Sequence, residues 1–251
     1  MVDRLRVRGS VRNAVVWHNV RAALADLSST LGRGRLDILD AGGGTGGFAV
    51  PLAELGHQVT VVDASPDSLA ALERRAAEAA VTNQIRGLQG DAATLLEVVG
   101  AAEFDVAICH SVLEIVDDPA ATLTAIAATV RSGGLVSVVT ANAVAAVLHR
   151  AIAGRFDEAL HALRDPLGRY AAGDPLPRRF SLPELQALVS SSGLSVVAVH
   201  GARVFADVVP PGLLDGDPQT VEALVTLELE AAQVPALRDI ATALHVLARR
   251  E

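Results

Sequence analysis

The run from Ile38 to Asp63, ILDAGGGTGGFAVPLAELGHQVTVVD, decides how the rest of the chain is read. An apolar stretch, Leu36 to Ala41, runs into consecutive glycines; Phe48 to Leu55 then carries apolar residues at helical spacing, and Val59 to Val62 resumes a β-branched run. That order predicts strand, turn, helix, strand. Glycine at a strand-to-helix turn accepts left-handed backbone and leaves no Cβ between the main chain and a ligand. Asp63 closes the second strand about twenty residues on, where a carboxylate can accept both hydroxyls of a ribose. The glycines themselves leave the ligand open. Gly42, Gly44 and Gly47 satisfy G-x-G-x-x-G, whereas Asp40, Gly42, Gly44 and Gly46 satisfy an acid followed by alternate glycines. A turn with a purely structural purpose is the third reading.

Upstream, Arg4, Arg6, Arg8, Arg12 and Arg21 face a single acid, Asp3, so the first segment is basic and suited to an anion. Val16, Val20, Leu24, Leu27 and Leu31 recur at helical spacing and predict an amphipathic helix over Asn13 to Leu31, ended by Gly32 and Gly34. Downstream, Ser65-Pro66 starts a helix over Asp67 to Val81, and Ile85 to Gln89 is a third strand delivering Gly90, Asp91 and Ala92. Phe104 to Cys109 reads as a fourth strand, Ala120 to Arg131 as a helix broken by Gly133-Gly134, and Leu135 to Thr140 as a fifth strand. Crossover helices make such strands parallel, so their carboxyl ends share one edge.

The alternation then stops. Ala143 to Ala153 reads as helix, but Gly154 to Ser181 holds three prolines and three glycines with little pattern, the mark of a functional cover. Leu182 to Ser192 is predicted helical, Leu194 to His200 a strand, Val204 to Val209 its extension or a new strand, Glu222 to Ala232 a helix and Ala243 to Ala248 the last strand. The expectation is an α/β fold in a single domain, residues 1–251. It consists of an N-terminal lid helix to residue 31, a nucleotide-binding core over 36–141, an inserted cover over 143–181 and the rest of the sheet beyond.

A net charge of −8 argues against a protein that covers itself in nucleic acid, and all 21 basic residues are arginine. No apolar segment is long enough to span a membrane and no signal-type core follows the N-terminus, so a cytoplasmic location is expected. A single cysteine, Cys109, excludes a disulfide framework and a cysteine-based zinc site.

A nicotinamide enzyme needs a hydride-transfer partner such as a tyrosine–lysine pair, and this chain has no lysine and one tyrosine, Tyr170. DAGGGTG, the GDA at Gly90 to Ala92 and FDVAICHSVLEIVDDP instead resemble class I S-adenosylmethionine-dependent methyltransferases. More narrowly, AVVW, LGHQV, AGRFD, GARVFAD, EALVTLELE and HVLARR are similar to bacterial tRNA methyltransferases that esterify the carboxylate of wobble carboxymethoxyuridine. The resemblance implies a Rossmann-like sheet, mostly parallel with its last strand antiparallel. It implies S-adenosyl-L-methionine as cofactor, S-adenosyl-L-homocysteine as product, and an anionic methyl acceptor, tRNA or small molecule.

It also implies roles. Arg12 pairs with the methionine carboxylate of the cofactor, Gly42 and Gly43 lie against its methionine and ribose portion, Asp63 lies on the ribose hydroxyls and Ala92 near the adenine, with Asp40, Gly44 and Ala64 as further cofactor-binding residues. His110 flanks the sulfonium and Arg203 faces the substrate. Asp91 for the adenine amino group, and Arg155 and Arg178 as further acceptor contacts, are chosen on physical grounds. No catalytic base is required for a carboxylate, which is ionised at neutral pH; for a hydroxyl acceptor His110 is the candidate. Cys109 beside His110 suggests a dyad, but adjacent strand residues point to opposite faces. Glu114, Asp117 and Asp118 lack the partners of a metal shell and read as a solvated loop. A small-molecule O-methyltransferase and a non-catalytic cofactor-binding module are the alternatives to the tRNA enzyme.

Overall fold

The glycine-rich stretch folds as its pattern predicts. Asp37–Ala41 forms β1, Ala49–Glu54 α2 and Gln58–Asp63 β2, after a long first helix, α1, over Val2–Leu31. The computed structural model describes residues 2–91, 94–210, 212 and 217–251, with side chains from residue 11 onward. Ile38 to Ala41 are buried in succession, so β1 is covered on both faces. It pairs in parallel with β2, Ile38 opposite Val59, and on its other side with β4 (Phe104–His110), Ile38 opposite Val106.

The next elements are α3 (Pro66–Glu78), β3 (Ile85–Gln89), α4 (Leu95–Val99), α5 (Pro119–Thr129), β5 (Val130–Ala141), α6 (Ala143–Ile152) and α7 (Phe156–Arg164). They are followed by α8 (Leu182–Ser191), β6 (Leu194–Ala202), α9 (Pro218–Ala231), α10 (Pro235–Arg238) and β7 (Ala243–Arg250). Two starts show why the chain turns helical where it does. Ser65 Oγ accepts the Ser68 N–H ahead of Pro66, and one Asp118 oxygen accepts the Ala120 and Ala121 N–H groups ahead of α5. The seven strands lie in the order β3-β2-β1-β4-β5-β7-β6, mostly parallel with the last antiparallel. This is the α/β, Rossmann-like sheet expected.

Three local expectations are corrected. Gly133-Gly134 does not separate a helix from a strand: α5 ends at Thr129, and β5 runs through the glycines with a register shift opposite Phe104 and Val106. Gly134 is required there, since a Cβ would lie 2.5 Å from the Asp105 carbonyl oxygen. Within the segment read as irregular, Phe156–Arg164 is helical; its buried residues are alanines while Phe156 and Leu163 point to solvent, so hydrophobic burial does not announce it. Val204 to Val209 is a series of turns, not a strand, because Arg203 takes a left-handed φ of 63° and the following N–H groups are claimed by a side chain.

The chain divides into two compact units, each drawn from three segments: residues 1–22, 140–185 and 199–245 in one, residues 23–139, 186–198 and 246–251 in the other. The second holds the fully buried Leu36, Ile38, Leu39, Leu52, Leu72 and Ile108. In the first, Val11 and Ala206 pack with Val209, Val221 and Leu224, and Val204 packs with Ala231 and Ala241. Among the described residues no helix is long and apolar enough to cross a membrane.

At the amino end of β4, the buried Asp105 accepts from Arg33, from Arg131 at 2.8 Å and from the Asp37 backbone N–H at 2.8 Å. Asp105→Asn turns one acceptor into a donor facing donors. It is expected to lower unfolding stability by about 2 kcal/mol in urea titrations while leaving cofactor binding intact.

Candidate active site

In the larger unit, the carboxyl ends of β1 to β4 frame a cavity of about 210 Å³ lined by Ala41, Gly42, Asp63, Ala64, Gly90, Asp91, Ser111, Val112 and Ile115, among others. This is where parallel α/β sheets bind ligands. The turn geometry resolves the two glycine patterns. Gly46 sits at φ 80°, and a Cβ on it would come within 2.3 Å of Leu72 Cδ1. Gly47, the third glycine of the competing pattern, has no positive φ and open space where its Cβ would stand. Gly42 and Gly44 share the left-handed region with Gly46, so the alternate-glycine reading is the one the backbone uses.

Asp63 holds this turn. Its Oδ2 accepts the Gly44 N–H at 2.9 Å and its Oδ1 the Ser65 N–H at 2.9 Å, which orients the carboxylate at the cavity edge. Asp40 lies beneath, 3 % exposed, with Oδ2 buried and accepting no hydrogen bond. A Cβ on Gly43 would fall 2.5 Å from that oxygen, so only glycine fits over it. Burial, and secondarily the negative charge of Asp63, push the Asp40 carboxyl up to about 7. Asp40 lies behind the turn and is not among the described cavity-lining residues, while the turn and Asp63 suit a ligand with a ribose; the residues present fit S-adenosylmethionine.

The other cofactor-side residues divide. Ala64 and Asp91 line the cavity, and Asp91 Oδ1 also accepts the Thr94 N–H at 3.1 Å ahead of α4. Ala92 lies outside the described residues. His110, at the end of β4, is not among the cavity-lining residues; its Nε2 meets Ser137 Oγ at 2.8 Å and its ring stands edge-on to Phe48. Burial drives its pKa down to about 3, so it is a neutral imidazole and a weak base. Cys109 is a fully buried thiol, its pKa pushed up by burial and by Glu114 and Asp40, and is inert core. Glu114 is not in a solvated loop but buried, and Asp118 is the α5 cap. Among the described residues no group of three or more ligating side chains is placed to hold a metal.

The smaller unit has its own pocket, about 420 Å³, lined by Asn142, His149, Arg150, Tyr170, Arg179, Arg203, Thr242 and several apolar residues, with no acidic side chain among the described lining residues. The arginines are fixed by acids set back from the lining and, for Arg150, by the lining residue Tyr170. Arg179 makes a two-pronged pair with Asp174, 2.6 and 3.0 Å, and Arg150 lies 3.5 Å from the Tyr170 ring centroid and 3.3 Å from Glu158. Arg203 Nε is 3.6 Å from Asp207. Asn142 is locked by donating to the Asp239 and Ala241 carbonyls and accepting the Val144 N–H. Of the arginines expected at the acceptor, Arg203 lines this pocket; Arg155 is an exposed side chain 3.6 Å from Glu158, and neither it nor Arg178 is in the lining. Arg150 and Arg179 take those places, five residues and one residue from the positions expected. Arg12 forms an ion pair of 2.9 Å with Asp207.

The chain matches a family described as methyltransferase domain over residues 16–199. It is 28% identical over 246 residues to the tRNA 5-carboxymethoxyuridine methyltransferase of Escherichia coli K12, covering 97% of this chain and 89% of the relative. It is also 36% identical over 169 residues to a ubiquinone biosynthesis O-methyltransferase of Methylobacterium nodulans, covering 66% of this chain and 62% of the relative. Among solved structures it is similar to magnesium protoporphyrin IX methyltransferase of Synechocystis PCC 6803 with bound S-adenosylhomocysteine, TM-score 0.60 at 17% identity over 100% and 94% of the two chains. A methyltransferase from Mesorhizobium loti aligns with TM-score 0.57 at 22% identity over 86% and 92%. With the alternate-glycine turn, the Asp63 anchor and this family match together, the chain belongs to the methyltransferase domain family and is a class I S-adenosylmethionine-dependent methyltransferase.

Proposed function

We propose that the protein esterifies a carboxylate, with carboxymethoxyuridine at the wobble position of cytoplasmic tRNA as the acceptor. The observation that carries this reading is the pocket lined by Arg150, Arg179 and Arg203 with no acid among its described lining residues. Planar guanidiniums match a carboxylate in two-pronged geometry, which a neutral hydroxyl does not exploit. Bound S-adenosylmethionine supplies a methyl group already activated by its sulfonium, so the chain's task is to orient the acceptor and exclude water. His110, neutral with a pKa of about 3, is a poor proton acceptor, which favours an ionised nucleophile over a hydroxyl. On the cofactor side, Gly42 to Gly44 would lie against methionine and ribose, Asp63 would accept the ribose hydroxyls, and Asp91 would face the adenine. Similarity to the tRNA enzyme along nearly the whole chain supports the acceptor.

A small-molecule carboxylate is the second reading, favoured by the net charge of −8 and the lack of lysine. Nucleoside mass spectrometry separates the two: deleting the gene should remove the methyl ester from wobble carboxymethoxyuridine, and an unchanged ester content moves the acceptor to a metabolite. Arg203→Ala should raise the acceptor KM about 10- to 50-fold in methyl-transfer assays, the size of one lost charged hydrogen-bond pair, with cofactor affinity kept.

A further inference from the structure

We propose that Glu228 is a positioning residue that holds Arg203 in place for the acceptor; this rests on the reading of Arg203 as an acceptor contact. β6 ends at Ala202, and Arg203 then adopts a φ of 63°, a left-handed conformation uncommon outside glycine that its surroundings hold in place. The enforcement comes from α9. Glu228 is fully buried, and its carboxylate accepts three consecutive backbone N–H groups: Val204 at 2.9 Å on Oε2, and Phe205 at 2.8 Å and Ala206 at 2.7 Å on Oε1. Successive N–H groups converging on one anion form a closed nest, the opposite of a strand's alternating donors. On the other side, the Arg203 carbonyl accepts the Thr242 N–H at 3.2 Å. The peptide that follows Arg203 is therefore pinned at both its carbonyl and its N–H, and the turn brings Asp207 to 3.6 Å from the Arg203 guanidinium.

Glu228 is not among the described residues lining the arginine pocket, and its carboxylate reaches Arg203 through this turn. An amide at residue 228 presents an NH2 to at least one of the three donors, and the nest must open. Glu228→Gln should speed amide hydrogen exchange at residues 204–206 at least about tenfold, as the loss of charged hydrogen bonds requires. It should raise the KM for an anticodon stem-loop RNA carrying carboxymethoxyuridine about tenfold, with the Kd for S-adenosylhomocysteine within about twofold. In the Glu228→Gln/Arg203→Ala double variant the KM should match that of Arg203→Ala alone, because both changes remove the same contact. Unchanged exchange at 204–206, a KM effect that adds in full to that of Arg203→Ala, or an equal loss of cofactor affinity overturns the proposal. Faster exchange in Glu228→Gln together with a normal KM in Arg203→Ala overturns the acceptor reading and confines Glu228 to folding the turn. Glu228→Asp, which keeps the charge but withdraws it by one methylene, gives the same readouts should the amide variant not fold; partial recovery of both exchange protection and KM is the expected result.

Discussion

Asp63→Ala is expected to weaken S-adenosylhomocysteine binding by about a thousandfold, roughly 4 kcal/mol. The change removes two things at once. The Gly44 and Ser65 N–H groups lose their acceptor, so the left-handed turn loses its tether, and the cavity loses the carboxylate proposed to accept two ribose hydroxyls. Charged hydrogen bonds of this type contribute about 1.5–3 kcal/mol each. Asp63→Asn, which retains one acceptor oxygen, should fall between the variant and the parent. Calorimetric titration measures both; a loss smaller than about fivefold in the alanine variant would show that the ribose is held elsewhere.

The second large effect concerns Asp40 and runs in opposite directions for stability and binding. Its carboxyl has a pKa of about 7 in the folded chain against an ordinary 3.8, so the fold holds a proton there that the unfolded chain releases. Stability from this group is therefore full below about pH 4, falls as pH rises toward 7, and is absent above it. Asp40→Asn removes the penalty, and at pH 8 the ligand-free variant should be more stable than the parent by an amount on the order of 1–4 kcal/mol, with little difference at pH 4. Ligand binding reverses the sign. A sulfonium cation favours the ionised carboxylate, so S-adenosylmethionine should bind more tightly as pH rises from 6 to 8 and should release a proton on binding at pH 6–7. S-adenosylhomocysteine lacks that charge and should show a shallower rise. The ratio of the two affinities against pH, flattened in Asp40→Asn, checks the assignment; a flat ratio in the parent would contradict it.

The opening βαβ unit was legible because every cue there is local: an apolar run, glycines at a fixed offset, a serine–proline helix start. The choice between glycine patterns was not, since it depends on whether Leu72, a residue of the following helix, presses on Gly46 or Gly47. The arginine pocket was half legible. Arg203, expected at the acceptor through the resemblance of GARVFAD, lines the pocket, but Arg178 and Arg179 are adjacent in a stretch without periodicity, and nothing local says which side chain turns inward. Val204 to Val209 has the β-branched composition of a strand, and the reason it is not one lies more than twenty residues away in the carboxylate of Glu228. Asp40 was legible as a motif residue, yet its raised pKa depends on how completely the turn covers it.

The arginines of the smaller unit's pocket carry one more consequence. Each arrives already paired: Arg179 with Asp174, Arg150 with Glu158 and Tyr170, Arg203 with Asp207. A guanidinium has five N–H donors in a rigid plane, so one edge can be spent on a resident acid while another remains for a visitor. An incoming anion thus meets side chains whose rotamers are set beforehand, and the entropy of fixing three long flexible stems is met in folding rather than in binding. A point-like ammonium could not serve two carboxylates in defined directions, which gives the all-arginine composition of this chain, whatever its origin, a use at this one place.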